Sequence, residues 1–346
     1  MNAELGQADS ATEPVLEATD LVKHFPIQRG IVVKRTVGRV QAVDGVDLRL
    51  HAGQTLGVVG ESGCGKSTLA KLLVGLETPT SGSIKVLGRE IGNLSSRRIR
   101  PVRRDIQLVF QDPYTSLNPR MTVGDIIGEP FEIHPNVVPK RERAGEVKDL
   151  LDMVGLSPDH INRYPHQFSG GQRQRIGIAR ALALRPQVLV CDEPVSALDV
   201  SIQGQVINLL KRLQAELGLA YVFIAHDLSV VRHIADEVAV MYLGKVVERG
   251  TGPQIYDHPR HPYTQALLSA VPVPDPDLRG HREEIILQGD VPSPINPPSG
   301  CRFRTRCWKA EEQCAEVVPT LQVGDNGTHP TACFFAEERD VTHAVK

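Results

Sequence analysis

The order of apolar and polar positions along the chain predicts strands that alternate with helices. Short apolar runs bounded by glycine or proline turns indicate strands, and apolar positions repeated every three or four residues indicate helices. Strands are predicted at residues 15–25, 40–50, 55–59, 83–87, 105–110, 187–191 and 221–225. Helices are predicted at residues 69–74, 121–134, 140–155, 168–185 and 200–217. This alternation is typical of an α/β fold.

The third predicted strand leads into a glycine-rich loop. The loop has the sequence Gly60-Glu61-Ser62-Gly63-Cys64-Gly65-Lys66-Ser67-Thr68, and a predicted helix follows it. Glycines let successive backbone N–H groups turn toward one anion, and the start of the helix adds the positive end of its dipole. In such a loop Lys66 reaches the β- and γ-phosphates, and the Ser67 hydroxyl can bind Mg²⁺. The loop therefore predicts a nucleoside-triphosphate site.

Two adjacent carboxylates, Asp192 and Glu193, follow the buried strand predicted at 187–191. The carboxyl end of a strand is where α/β sheets place ligand chemistry. One carboxylate can hold Mg²⁺ through its water shell, while the other orients and activates an attacking water molecule. His226 ends the next predicted strand, in the same layer as the two carboxylates. A lone histidine is more often structural, but this position favours a role beside them.

Several other residues complete the candidate site. The helix predicted at 168–185 offers a second N-terminus that can bind an anion, and it opens with the run Ser169-Gly170-Gly171-Gln172. Asp199 closes a tight turn before the helix at 200–217, and Gln111 begins a proline-broken loop. Phe25 follows the first predicted strand, where an aromatic ring can stack on adenine or belong to the core.

Composition and charge limit the function classes. The chain has 346 residues, a hydrophobic content of 41% and a formal net charge of −2 at pH 7. It is long enough for a large α/β domain with an appended segment, and its charge argues against binding nucleic acid through a broad basic surface. Residues 1–14 lack a signal-peptide pattern, and no apolar run approaches the ~20 residues of a membrane span. We therefore expect a cytoplasmic location, with any membrane association made through a partner.

Basic residues between the first two predicted strands are expected to form a solvent-exposed loop. They are Arg29, Lys34, Arg35 and Arg39. A second run of arginines between residues 97 and 104 is expected on a solvated face.

These motifs, in this order, resemble the nucleotide-binding subunit of an ABC transporter over roughly residues 15–250. The resemblance implies a P-loop NTPase of ABC type, with a RecA-like α/β core, an N-terminal antiparallel β subdomain and a helical subdomain. It also implies site roles: the Gly60 to Thr68 loop binds ATP, Phe25 stacks on adenine, and His226 contacts the γ-phosphate. Ser67, Gln111 and Asp192 belong to the Mg²⁺ site, Glu193 is the catalytic base, and Asp199 is one of the nucleotide-binding residues.

The resemblance further implies a head-to-tail dimer. In that arrangement the run Ser169-Gly170-Gly171-Gln172 of one subunit closes over the ATP held by the glycine-rich loop of the other. Such a pairing would explain why this helix N-terminus has no evident partner within its own chain.

Further stretches narrow the resemblance to the ATPases of dipeptide and oligopeptide importers. They are Phe110-Gln111-Asp112-Pro113, Ser116-Leu117-Asn118-Pro119-Arg120-Met121, the run from Glu193 to Ser201, and His261-Pro262-Tyr263-Thr264. This implies an ATPase that energises peptide uptake at the cytoplasmic face of the membrane. Its partners would be a second related ATPase, two transmembrane permease subunits and an extracytoplasmic peptide-binding protein. Importers of nickel, glutathione-like or sugar solutes, and a soluble non-transport ABC ATPase, are the alternatives.

The expected division of the chain has three parts. Residues 1–14 form a disordered tail, and residues 15–259 form the nucleotide-binding domain, with its helical subdomain at about 112–180. Residues 260–346 form an irregular, cysteine-rich C-terminal extension, because proline becomes frequent there.

Four cysteines crowd the predicted extension: Cys301, Cys307, Cys314 and Cys333. Four thiolates in a reducing compartment suit either tetrahedral zinc or an iron–sulfur cluster. The short Cys-x2–4-Cys hooks of structural zinc sites are missing, which favours the cluster. Resemblance to the importer ATPases points to a 4Fe–4S cluster as well, while zinc and unligated or disulfide-bonded cysteines stay open.

Overall fold

The computed structural model describes residues 13–30, 35–112, 115–271, 284–324 and 328–341. Residues 1–12 of the predicted tail, Lys34 and Pro113 lie outside the described residues. The strands are β1 Leu16–Arg29, β2 Arg35–Leu50, β3 Thr55–Val59, β4 Ser81–Val86, β5 Arg89–Glu90, β6 Ile106–Val109, β7 Val188–Asp192, β8 Ala220–Ala225, β9 Glu237–Tyr242 and β10 Lys245–Thr251. The helices are α1 Lys66–Leu73, α2 Ser96–Val102, α3 Val123–Ile133, α4 Arg143–Met153, α5 Gly170–Leu182, α6 Val200–Leu217, α7 Leu228–Arg232, α8 Gly252–Tyr256, α9 Pro262–Ser269 and α10 Gln313–Glu316.

A six-stranded sheet in the order β10-β9-β3-β8-β7-β6 organises the molecule. Its five strands from β9 to β6 run parallel, and β10 pairs antiparallel with β9. Every residue of β3, β7 and β8 is buried, as expected for strands covered on both faces. Along β8, Tyr221 and Phe223 face one apolar core, whereas Val222 and Ile224 face the other. The sheet is therefore the middle layer of the fold.

A four-stranded antiparallel sheet in the order β2-β1-β4-β5 covers one of these cores. Strands β1 and β2 form a long hairpin that pairs from Leu16 with Leu50 to Arg29 with Arg35. The basic segment expected to be a loop is therefore mostly strand. The sequence pattern missed this because buried positions become rare toward the tip of the hairpin, although the backbone pairing continues.

The other face of the six-stranded sheet carries a mainly helical region. Helix α3 buries Val123, Ile126, Ile127 and Phe131 against the core shared with α5. The start of α3 is fixed by Thr122, which exchanges hydrogen bonds with Asp125 in a capping box. These helices follow β6, where the sequence predicted them.

The described part of the C-terminal segment, residues 257–271, 284–324 and 328–341, is mostly irregular and packs onto the edge of the six-stranded sheet. Ala332 N–H donates to Val247 O at 2.8 Å, and Arg249 N–H donates to Pro330 O at 3.0 Å. The segment thus occupies backbone groups of the edge strand β10 that would otherwise face solvent. Phe303 adds a buried anchor, with its ring centroid 5.2 Å from that of Tyr242.

Glu248 of β10 is a buried attachment point for this segment. Its carboxylate is fully buried and accepts from Arg260 N–H at 2.7 Å, His261 N–H at 3.1 Å and His329 Nε2 at 2.7 Å. Burial lowers the pKa of His261 to about 4. Its ring is therefore neutral, and Nδ1 accepts from Tyr263 N–H at 3.0 Å, which caps α9.

We expect Glu248→Ala to destabilise the protein by about 3 kcal/mol or more, because it leaves buried donors without an acceptor. Glu338→Ala is the matched control, since Glu338 also pairs with a histidine, His258 at 2.6 Å, but both side chains are more than half exposed. Calorimetry of thermal unfolding gives the unfolding midpoint of each variant. Equal shifts of the two midpoints would contradict the anchoring role of Glu248.

Candidate nucleotide-binding site

The glycine-rich loop links β3 to α1, as the sequence predicted. Gly65 has φ +111°, a conformation that side-chain-bearing residues rarely adopt, and a Cβ there would collide with Ala42 O. At Gly60 a Cβ would collide with Met241 O. Helix α1 begins after Gly65 with no side-chain cap, which leaves its first N–H groups available to an anion. Close backbone packing and an uncapped helix start therefore shape this loop.

Lys66 is folded back onto the loop. Only 4% of the residue is exposed, and its Nζ donates to Gly60 O at 2.7 Å and to Glu61 O at 3.0 Å. Nζ also lies 3.7 Å from Glu193 Oε1. The ammonium group is thus held between the loop and the carboxylates at the end of β7.

Asp192 ends β7 and faces the start of α1. Ser67 Oγ donates to Asp192 Oδ1 at 3.1 Å. Burial raises the pKa of Asp192, and the charge of Glu193 adds to this, while the Ser67 hydrogen bond and Lys66 act in the opposite direction. A hydroxyl, a carboxylate and the nearby Gln111 amide are oxygen donors of the kind Mg²⁺ prefers, so these residues fit the ion.

Glu193 lies at the meeting point of three elements. Gln111 Nε2, beyond the end of β6, donates to Glu193 Oε2 at 2.8 Å, and His226 Nδ1, after β8, lies 3.5 Å from the same oxygen. Glu193 has φ +45°, a sparsely populated conformation for a non-glycine residue and one that is common at functional sites. The strand ends therefore bring Gln111, Glu193 and His226 together.

These side chains open onto a pocket of about 530 Å³. Ten predicted site residues line it: Phe25, Ser62, Gly63, Gly65, Lys66, Ser67, Thr68, Gln111, Glu193 and His226. Val40, Ala42 and Pro294 complete the lining. Phe25 is half-buried, and Lys23 Nζ lies 4.7 Å from its ring centroid. A polar end with Lys66 and an apolar end with Phe25 suit a ligand that carries both phosphate and a flat base.

The other predicted nucleotide-binding residues do not line this pocket. Ser169 is exposed and caps α5, where its side chain and that of Gln172 exchange hydrogen bonds in a capping box. Gly170 and Gly171 follow it in the first turn, and Asp199 is exposed at the start of α6. Within one chain, these residues remain separate from the loop.

A second pocket of about 710 Å³ adjoins the first and runs toward the helical region. Ser67, Gln111 and Asp192 line one part of it, while Glu129 of α3 and Arg180 of α5 line another. Gln111 faces both pockets. The sheet edge and the helical region therefore share one connected groove.

Three residues of the C-terminal segment reach the site without having been predicted there. Pro294 lines the first pocket, Tyr263 OH accepts from Glu61 N–H, and Arg306 pairs with the Glu61 carboxylate. The sequence singled out Tyr263 only as part of a motif. Nothing in the local pattern distinguishes Arg306 from the other arginines of this segment.

The predicted iron–sulfur cluster is wrong, and so is its zinc alternative. Cys301, Cys307, Cys314 and Cys333 line one cavity, but its volume is about 10 Å³, the lower limit for a single water molecule. All six cysteines are free thiols. Burial raises the pKa values of Cys301 and Cys307, and raises that of Cys333 to about 11, so these thiols are neutral. Within the described residues, no group of histidine, cysteine, aspartate or glutamate side chains is arranged to hold a metal ion.

Two protein families match the chain. Residues 43–196 match the family described as ABC transporter, and residues 247–314 match the one described as oligopeptide/dipeptide transporter, C-terminal region. Among solved structures, a dimeric ATP-binding cassette in a post-hydrolysis state bound to ADP and Pi has a TM-score of 0.60 and 28% sequence identity. That comparison covers 68% of this chain and 98% of the solved one.

Curated relatives match over nearly the whole length. The chain is 54% identical to the oligopeptide transport ATP-binding protein OppF of Salmonella typhimurium, over 92% of this chain and 96% of the relative. It is 57% identical to the oligopeptide transport ATP-binding protein AppF of Bacillus subtilis, over 93% and 98%. It is 51% identical to the dipeptide transport ATP-binding protein DppF of Escherichia coli, over 96% and 97%. The chain therefore belongs to the family of ATP-binding subunits of oligopeptide and dipeptide ABC transporters.

Proposed function

We propose that this chain hydrolyses ATP to energise the uptake of dipeptides or oligopeptides by a multi-subunit importer. The observation that carries the proposal is the convergence of Lys66, Gln111, Glu193 and His226 on one pocket. The peptide specificity rests on the relatives, which are named for oligopeptide and dipeptide transport. Loss of labelled dipeptide or oligopeptide uptake on deletion of the gene tests the proposal. Loss of nickel or sugar uptake instead would contradict its substrate class.

Each residue at the pocket has a chemical task in this proposal. The loop N–H groups and Lys66 bind the phosphates of ATP, and Phe25 stacks on the base. Glu193 accepts a proton from the attacking water, and Gln111 and His226 hold its carboxylate in place. Ser67, Gln111 and Asp192 would hold Mg²⁺, which when bound offsets charge on the phosphate oxygens.

A second ATPase subunit completes the site in this proposal. Ser169 is exposed, and the run Ser169-Gly170-Gly171-Gln172 lies outside the pocket of its own chain, although a helix N-terminus suits a phosphate. A head-to-tail pairing with a related subunit would bring this run to the partner's nucleotide. The similarity to a dimeric cassette bound to ADP and Pi supports this arrangement.

The groove between the sheet edge and the helical region is proposed as the docking site for a cytoplasmic loop of the permease. Gln111 lines both the groove and the nucleotide pocket, so a change at the γ-phosphate can reach the docked loop through it. None of the described helices is long and apolar enough to cross a membrane. The chain acts at the cytoplasmic face of the membrane, bound to two permease subunits that work with an extracytoplasmic peptide-binding protein.

The three-part division of the chain is also a proposal. Residues 15–259 would form the nucleotide-binding domain, with the helical subdomain at about 112–180, between a tail at 1–14 and the extension at 260–346. The placement of α3, α4 and α5 supports the helical subdomain. The matched C-terminal region begins earlier, at residue 247 within β10.

We expect Glu193→Gln to leave the affinity for ATP within about twofold but to lower kcat at least about a hundredfold, because it keeps the shape of the side chain and removes the base. ATP binding by the purified chain and ATPase activity of the assembled transporter measure the two effects. The exposed Glu338→Gln is the control. Turnover within a fewfold of the unsubstituted protein would refute the assignment of Glu193 as the base.

Lys66→Ala should raise the Kd for ATP by about tenfold or more, since the ammonium group at the proposed phosphate end of the pocket is lost. Lys85→Ala, which removes a half-exposed lysine of β4, serves as the control. Isothermal titration of the full chain with ATP gives both constants. An unchanged Kd for Lys66→Ala would contradict the phosphate-binding role of the loop.

We expect cysteines introduced one at a time between residues 115 and 129 to cross-link to the permease subunits in the assembled transporter. The chain with only its own six cysteines gives the background. Products should depend on position along the groove that Glu129 lines. Failure of every position to give a product above background would count against docking in this groove.

A further inference from the structure

Glu61 of the glycine-rich loop is held from a distant part of the chain. Arg306 Nη1 donates to Glu61 Oε2 at 2.7 Å, and Nη2 donates to Oε1 at 3.0 Å. Tyr263 OH accepts from Glu61 N–H at 2.9 Å. The C-terminal segment therefore contacts both the side chain and the backbone of one loop residue.

The Arg306–Glu61 pair has the features of a strong interaction. The two N–H···O bonds run side by side, which is the bidentate geometry that guanidinium and carboxylate groups favour. Only 8% of the Arg306 side chain and 25% of the Glu61 side chain are exposed, so water and salt screen the pair weakly. Tyr263 is fully buried, and its ring packs against Phe303 with centroids 5.4 Å apart. The Tyr263 ring is thus held in place by its own packing, and the Arg306 side chain is largely shielded from solvent.

Glu61 is also directly connected to the lysine of the loop. Its carbonyl oxygen accepts from Lys66 Nζ at 3.0 Å. Glu61 therefore makes three hydrogen-bonding contacts: its carboxylate with Arg306, its N–H with Tyr263 and its C=O with Lys66. A shift of Glu61 would move an acceptor that holds the ammonium group.

We propose that Arg306 and Tyr263 are positioning residues that fix Glu61, and through it Lys66, before ATP binds. The proposal rests on the assignment of residues 60–68 as the phosphate-binding loop. A loop already held in its binding conformation loses less conformational entropy when the ligand arrives, which raises affinity. The C-terminal segment is then a working part of the nucleotide site.

A second contact of the same segment supports this interpretation. Pro294 lines the nucleotide pocket, and its carbonyl accepts from Gln41 N–H in β2 at 2.9 Å. Arg302 also donates to the side chains of Gln41 and Asp44. The segment therefore borders the pocket on the side of β2 as well as on the side of the loop.

The test compares two variants in the full chain. We expect Arg306→Gln to raise the Kd for ATP roughly tenfold and Tyr263→Phe to raise it about threefold. The effects differ because a hydrogen bond between charged groups usually contributes more free energy than one between neutral groups. In the assembled transporter, KM for ATP should rise while kcat at saturating ATP stays within about twofold, because Glu193 and its partners are untouched. Isothermal titration and steady-state ATPase assays supply these values.

Arg304→Gln is the matched control. It removes the same charge from the same segment, but Arg304 donates to the backbone and side chain of Ser299 and does not contact the loop. Its Kd for ATP should equal that of the unsubstituted chain. A Kd raised as much as in Arg306→Gln would overturn the proposal, since general loss of charge would then explain both.

A rescue experiment separates positioning from a purely structural role. Exchanging the charges in the double variant Glu61→Arg with Arg306→Glu should recover affinity lost in either single variant. If Arg306→Gln and Tyr263→Phe lower only the unfolding midpoint and leave the Kd unchanged, the proposal is refuted. Should Arg306→Gln fail to fold, Tyr263→Phe decides, because it keeps the buried ring. Lys66→Ala reports separately on the loop: unimpaired binding there would refute the loop assignment on which the proposal rests. Impaired binding in Lys66→Ala together with an unchanged Kd in Arg306→Gln and Tyr263→Phe would refute the positioning role alone.

Discussion

Parallel pairing of four neighbouring strands is the constraint on which the site depends. β3 pairs with β8 so that Val59 lies beside Ala225, and β8 pairs with β7 so that Ile224 lies beside Asp192. β7 pairs in turn with β6, with Cys191 beside Val109. The residues that follow these ends are the glycine-rich loop, His226, Glu193 and Gln111. A slip in any one of these pairings would move its chemical groups away from the others.

This constraint explains why so much of the site could be predicted from the sequence. Buried parallel strands appear as continuous apolar runs, and their ends appear as polar residues. The strand predicted at 55–59 and the helix predicted at 200–217 have the same bounds in the structure. The prediction that His226 shares a layer with Asp192 and Glu193 needed only the rule that parallel strands present their carboxyl ends at one edge.

The sequence was less informative where contacts are distant or where pairing continues without burial. Arg306 and Glu61 lie 245 residues apart, and no periodic pattern reports such a contact. The hairpin of β1 and β2 extends into exposed, basic positions where apolar alternation has stopped. The cysteine spacing misled for a related reason. Spacing gives the separation of the cysteines along the chain, whereas metal binding depends on the volume of the cavity between the thiols and on whether the thiols lose their protons.

The C-terminal segment links the stability of the sheet edge to the geometry of the loop. Glu248 and the backbone of β10 attach the segment to the edge strand, and Phe303 anchors it against Tyr242 and Tyr263. Tyr263 therefore belongs to the packing that covers the edge, and its hydroxyl is also the acceptor for Glu61 N–H. The Tyr263 hydroxyl can hold Glu61 in one position only if the residues packed around the Tyr263 ring are themselves held in place. The residues that cover the edge strand thus set how firmly Glu61 is held, although none of them needs to contact the nucleotide.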